Sequence, residues 1–291
     1  MNKIKIALCQ MNVVDNKEEN IKKAIEMIKD AKKQNAILAI LPEMFNCPYE
    51  NEKFIEYEET LDDSKTLNEI SKIAKEENIY VLAGSIPELV INDKEKEGSL
   101  SDSKNNKDSL YNTSVFFNNN GEIIGKHRKV HLFDIDVKDK ISFKESDTLS
   151  PGNEITVIET PFATIGIGIC YDIRFVELSR IMALKGAELL IFPGAFNMTT
   201  GPAHWQLLFR SRALDNQVFA IGVAPALDKN ANYNSYGHSI AINPWGELIE
   251  ELDYEEELKV IEIDLDEIKK VREEIPVLKN RRSDLYEINE K

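Results

Sequence analysis

The 291-residue sequence predicts an α/β fold. Two observations carry that expectation. In the first third, apolar runs of strand length alternate with stretches of helical period, which is the rhythm of a sheet covered by helices. Several of the apolar runs then stop abruptly at residues able to do chemistry, as strands of an open sheet do along one edge.

Residues 3–11 alternate polar and apolar and read as the first strand. Asp15 or Asn16 caps a helix with Ile21, Ala24, Ile25, Ile28 and Ala31 on one face. Ala36–Leu41 is a continuous apolar strand, stopped by Pro42. Ser64 caps a second helix, with Leu67, Ile70, Ile73 and Ala74 on its buried side, and Ile79–Ile86 is the next buried strand. Residues 92–109 are rich in Asn, Asp, Lys, Ser and Glu. A solvated surface insertion is expected there, because strands resume on both sides. Asn118-Asn119-Asn120-Gly121 is a hairpin turn between Tyr111–Phe117 and Glu122–Lys126. Ile155–Glu159 and Ala163–Ile169 pair around Thr160-Pro161. Past Cys170 the spacing becomes helical, through Phe175, Leu178, Ile181, Met182 and Leu184. Glu188–Phe192 is a strand, and Pro202–Leu214 a helix with proline near its first position. Val218–Val223, Ser239–Ile242, Leu248–Glu251 and Leu258–Ile263 complete the strands. Asp264 or Asp266 caps a short charged final helix. No break divides the chain, so one domain over 1–291 is expected.

A hydrophobic share of 42% supplies a core large enough to need no disulfide or metal staple. The net charge of −15 argues against general nucleic-acid binding and against a polybasic membrane-surface role. Cys9, Cys47 and Cys170 lie far apart with no CxxC, which suits a reducing, cytoplasmic compartment. The N-terminal residues alternate like a strand and lack the apolar core of a signal peptide. No apolar run is long enough to span a bilayer.

Three islands carry chemistry. Glu43 follows a buried strand in Leu41-Pro42-Glu43-Met44-Phe45. Lys129 sits in the cationic run Lys126-His127-Arg128-Lys129 after another strand. Cys170 ends the apolar run Gly166-Ile167-Gly168-Ile169 at a strand-to-helix turn. Helix-start N–H groups there stabilise negative charge beside the thiol. A cysteine nucleophile needs a base or a positive neighbour, and later an acid for the leaving group. Taken singly, each residue has an ordinary explanation: a solvated carboxylate, a surface lysine, a buried small hydrophobe. Strand ends along one sheet edge bring the three together.

With these islands and their flanks, the chain resembles the nitrilase superfamily of carbon–nitrogen hydrolases nearly end to end, from Ala7-Leu8-Cys9-Gln10 to the last strand. The resemblance implies a four-layer α-β-β-α sandwich and a Glu–Lys–Cys triad on Glu43, Lys129 and Cys170. It implies a second glutamate on Glu145, in Phe143-Lys144-Glu145-Ser146; like in charge to Glu43 and opposite to Lys129, Glu145 reads as a positioning group for Lys129 or the substrate amide, or as a supporting acid–base group. Cys170-Tyr171-Asp172-Ile173-Arg174-Phe175, the stretch Lys129–Val137 and Ala195–Trp205 are similar to the ω-amidase (Nit2-like) branch. That branch implies hydrolysis of the ω-amide of α-ketoglutaramate or α-ketosuccinamate through a cysteine thioester, with no cofactor or metal, and a homodimer paired through a helix layer. Deaminated glutathione amidase and N-carbamoyl amine amidohydrolase are the alternatives within the superfamily.

In this scheme Glu43 is the general base, and Lys129 and the backbone N–H near Tyr171 stabilise the oxyanion. Lys129 is also expected to lower the thiol pKa by its charge. Arg174 is the candidate for the substrate carboxylate, against a structural ion pair with Asp172 or Glu177. Tyr49, Phe133, Phe196, Met198 and Thr199 are pocket-wall candidates by motif position. A cysteine–histidine hydrolase using His127, His131, His204 or His238 is the rival mechanism. A catalytically idle binding scaffold is the non-enzyme rival, and the intact motifs argue against it.

Overall fold

The structure is a computed structural model and describes residues 2–91, 108–138 and 140–291. The expected insertion at 92–109 lies outside the described residues except for its last two positions.

Two six-stranded sheets form the centre. The first has the order β14-β1-β2-β3-β4-β5, from β1 (Lys3–Gln10), β2 (Leu38–Ile40), β3 (Tyr80–Val90), β4 (Ser109–Phe117), β5 (Ile123–Arg128) and β14 (Glu257–Asp264). The second has the order β13-β12-β11-β10-β9-β8, from β8 (Thr156–Glu159), β9 (Thr164–Ile167), β10 (Leu189–Pro193), β11 (Phe219–Val223), β12 (Ile240–Ile242) and β13 (Leu248–Glu251). In each sheet three central strands run parallel and the outer ones antiparallel. A separate hairpin pairs β6 (Asp134–Val137) with β7 (Ile141–Lys144).

Side-chain alternation builds the layers. On β1, Ile4, Ile6 and Leu8 point between the sheets, where they join Ile165 and Ile167 of β9 and Leu189 and Ile191 of β10. Ala7 and Cys9 point the other way, onto α1 (Lys17–Lys33) and α3 (Lys65–Glu76). On the far side Leu190 and Phe192 meet α4 (Val176–Leu184) and α5 (Gly201–Asn216). The result is the expected α-β-β-α sandwich. Each fully buried aliphatic or aromatic side chain of these layers contributes about 1.5–3 kcal/mol.

Helix starts follow local chemistry. Asn16, not Asp15, caps α1, its side chain accepting from the Glu19 N–H; Asp15 instead accepts from the Tyr57 hydroxyl. Ser64 Oγ accepts from the Leu67 N–H at the start of α3. The N-cap of α6 (Asp266–Glu274) is Leu265, not Asp264 or Asp266; Asp264, one residue earlier, accepts from the Asp266 N–H. Two elements have no counterpart in the sequence expectations: the β6–β7 hairpin and the one-turn-and-a-half helix α2 (Asn51–Glu56). A third difference matters more for the site. The helix does not begin directly after Cys170; a 3₁₀ segment, Cys170–Arg174, intervenes, and Phe175 is the N-cap of α4. No helix among the described residues is long and apolar enough to cross a membrane.

Candidate active site

The strand directions bring the islands together. β5 is two antiparallel steps from β3, which is parallel to β2. The C-terminal ends of β2 and β5 therefore fall on one edge, and Glu43 and Lys129 follow them. β9 and β10 of the facing sheet end at Cys170 and Ala195 on the other side of the same cleft.

Pro42 ends the second strand, and β3 presses on the loop it opens. A Cβ on Gly84, whose φ is +30°, would stand 1.9 Å from the Pro42 carbonyl oxygen, so only glycine fits there. Ser85 on the same strand accepts from the Met44 N–H through its Oγ. Glu43 is thereby buried completely. Its Oε1 accepts from Lys129 Nζ at 2.9 Å and from Asn112 Nδ2 at 2.8 Å, and its Oε2 accepts from the Ala195 N–H at 2.7 Å. Lys129, also fully buried, donates to Glu145 Oε1 at 2.8 Å. Glu145, at the end of the β6–β7 hairpin, accepts on Oε2 from the Phe133 N–H at 2.6 Å. Cys170 is 3% exposed and has φ +48°, and the Glu43 carboxylate is near enough to act on its thiol. A non-glycine residue in the left-handed region costs on the order of 1 kcal/mol or more and persists where neighbours over-determine it.

One buried ammonium thus faces two buried carboxylates and a thiol. Burial alone would lower the Lys129 pKa, but Glu145 and Glu43 together outweigh it and hold Lys129 well above its usual value. Burial raises Glu145, with Lys129 pulling against it. Cys170 contradicts the sequence expectation. Burial, then the Glu43 charge, push its thiol well above the ordinary range, and the Lys129 charge, which acts downward, does not prevail. The arrangement is a neutral thiol beside its proton acceptor, with the cation already taken up by two carboxylates.

Tyr49 lines a cavity with Glu43, Ala195 and Tyr233, as a pocket-wall residue would, and also does more. Its hydroxyl donates to Glu145 Oε1 at 2.5 Å and lies 3.3 Å from Lys129 Nζ, so its polar end belongs to the charged cluster. Its ring packs on Tyr233, whose hydroxyl donates to the Ala195 carbonyl oxygen. Phe133 is buried and meets Tyr171 edge-on at 5.3 Å. Arg174 lies over the rings of Phe196, at 4.9 Å, and Tyr171, at 5.5 Å. Neither Asp172 nor Glu177 pairs with it; Nη1 meets His204 Nδ1 at 3.2 Å, and Nε is buried with no hydrogen-bond partner among the described residues. The Thr199 N–H is turned to Asn197 Oδ1, and Met198 is 41% exposed.

The histidines are engaged elsewhere. His127 and His131 bond to Asp172, His204 to Arg174, and His238 stacks on Tyr236. The largest charge effects on the Cys170 thiol come from Glu43, Lys129 and Glu145. Asn112 and Tyr233 escaped the sequence reading, and Asp172 entered it only as a possible partner for Arg174. Asn112 carried a signal, a polar residue inside a strand that is otherwise buried. Tyr233 lies in a loop and carried none.

The family model described as carbon–nitrogen hydrolase matches residues 5–273. The omega-amidase NIT2 of Xenopus tropicalis is 47% identical over 291 residues, covering 100% of this chain and 99% of that one. The omega-amidase NIT2 of Homo sapiens is 44% identical, with the same coverage. Among solved structures, Saccharomyces cerevisiae Nit3, described as a member of branch 10 of the nitrilase superfamily, superposes with a TM-score of 0.83. It is 40% identical, with 96% of this chain and 97% of that one covered.

Proposed function

The chain belongs to the carbon–nitrogen hydrolase family and acts on amides, and from that premise we propose that it is an ω-amidase of small keto-acid amides, α-ketoglutaramate and α-ketosuccinamate, working through a Cys170 thioester. The observation that carries this reading is the convergence of Glu43, Lys129, Glu145 and the Cys170 thiol in one buried cluster.

In the first half-reaction Glu43 takes the thiol proton as the sulfur attacks the amide carbon. The carbonyl oxygen becomes an oxyanion, held by Lys129 Nζ and the Tyr171 N–H; donors of this kind each supply on the order of 3 kcal/mol. Collapse breaks the C–N bond, the nitrogen takes the proton from Glu43, and ammonia leaves an acyl thioester. In the second half Glu43 takes a proton from water as its oxygen attacks the thioester. The C–S bond breaks, the carboxylic acid leaves, and the proton returns to the sulfur. Glu145 keeps Lys129 in place throughout, and Tyr49 keeps Glu145.

Arg174 receives the substrate carboxylate. Its guanidinium is partly buried between two rings with no acidic partner, and a buried unpaired cation favours an anionic ligand. Phe133, Tyr171 and Phe196 form the apolar wall. Two copies pair through the helix layer, in the cytoplasm, as the resemblance implies; sedimentation velocity tests the dimer. The deciding experiment for the activity is ammonia release with α-ketoglutaramate in competition with deaminated glutathione, N-carbamoyl amines and simple nitriles. Preference for the keto-acid amide, lost in Cys170→Ala, supports the reading; preference for a competitor moves the chain to another branch.

A further inference from the structure

Asp172 is fully buried and accepts four hydrogen bonds, two on each carboxylate oxygen. Oδ2 accepts from the Ile169 N–H at 2.9 Å and faces His127 Nε2 at 3.1 Å. Oδ1 accepts from the His131 N–H at 2.9 Å and faces His131 Nδ1 at 2.7 Å. Its own N–H donates to the Ile169 carbonyl at 3.0 Å.

These partners form a pattern in the sequence. Ile169 and Asp172 enclose Cys170, while His127 and His131 stand two residues before and two after Lys129. One carboxylate therefore closes the tight turn that carries the nucleophile and grips both sides of the turn that carries the ammonium. Cys170 comes from the second sheet and Lys129 from the first, so Asp172 joins the two sheets at the site. The hydrogen bonds of His127 and His131 outweigh burial and hold the Asp172 carboxyl far below the usual carboxylate range. On the opposite side Arg212 of α5, nearly buried, donates to the carbonyl oxygens of Ile173 and Arg174. Arg212 ties the elbow to α5, and Asp172 ties it to the segment that carries Lys129.

We propose that Asp172 is a positioning residue for the hydrolysis, setting the separation of Lys129 and Cys170 through His127 and His131; this rests on the active-site reading above. Asparagine cannot replace it. An amide offers one acceptor oxygen, and its NH₂ would be turned toward donors. Misplacement of reacting groups by about 1 Å costs on the order of 10²-fold in rate.

The test uses the full-length protein, with two readouts: steady-state kinetics on α-ketoglutaramate, and the rate of Cys170 carboxamidomethylation by iodoacetamide at fixed pH, followed by mass spectrometry. His131→Ala removes one of the four donors and is expected to lower kcat about tenfold with KM unchanged, and to slow alkylation. His131→Asn keeps an N–H near the position of Nδ1 and should restore most of both. If His131 acted only by stacking on Phe175, which it meets at 3.5 Å between ring centres, the two variants would be equally impaired, and the proposal fails. Asp172→Asn is expected to lose about 10²-fold in kcat where it folds. Wild-type kcat and alkylation in a folded Asp172→Asn also overturn the proposal. Alkylation rates that follow the expected order in a protein inactive on the amide would fault the substrate reading and leave the positioning role standing.

Discussion

Tyr49 gives its one hydroxyl proton to Glu145. The same oxygen lies 3.3 Å from the Lys129 ammonium. Burial, then the charges of Glu145 and Glu43, keep this phenol well above its normal pKa, so it remains a donor. Tyr49→Phe removes that donor and little volume. The expected result is a folded enzyme whose kcat falls about tenfold, the equivalent of one net hydrogen bond, with KM nearly unchanged. A raised KM at constant kcat would limit Tyr49 to the pocket wall.

Lys129 holds two buried carboxylates apart. Lys129→Met leaves Glu43 and Glu145 facing each other with no cation, and removing one partner of a buried ion cluster costs about 3–5 kcal/mol. Calorimetry should show a lowered Tm together with lost turnover. Cys170→Ala should lose turnover without the drop in Tm. Equal Tm values for the two variants would mean the cluster is not held by charge.

The Cys170 thiol links stability to pH. An unfolded thiol ionises near pH 8.5, whereas burial and the Glu43 charge keep the folded one protonated well above that. Above the unfolded value the folded state binds more protons, so the free energy of unfolding falls as pH rises. Urea unfolding between about pH 8 and pH 10 should therefore show wild type losing stability relative to Cys170→Ala. A difference independent of pH would show that the thiol ionises alike in both states.

Arg174→Gln should raise KM for a carboxylate-bearing amide about 10- to 100-fold, a loss of the size expected for one charge-assisted pair, while kcat changes little. The same variant acting on a neutral amide of similar size should match wild type. An equal loss on both substrates would assign Arg174 to the wall of the site.

Much of this was legible because strand ends are legible. Proline after Leu41, the cationic run after the hairpin and the thiol after Ile169 each mark where a buried strand stops, and parallel topology gathers such ends. Glu145 was reachable only through family resemblance, since its hairpin, β6–β7, alternates apolar and polar over only four residues a strand and is half exposed, too short a pattern to mark a site. The direction of the thiol pKa was misjudged for a physical reason. From sequence, Lys129 counts as a nearby charge; in the fold, complete burial outweighs it, and two carboxylates share its field. Asp172 looked like a partner for Arg174 because they are near in sequence. A tight 3₁₀ turn sends the two side chains apart, one inward to the histidines and the other over aromatic rings.

The cleft is a seam. Its acid and its cation hang from one layer of strands, its sulfur from the other, and aliphatic side chains with no part in the chemistry hold the layers in register. Turnover is therefore a sensitive gauge of how the halves mate. A methyl group deleted from Ile165 or Ile6, remote from any reacting atom, would let the layers slide by a fraction of an ångström, and the enzyme would slow before it began to melt.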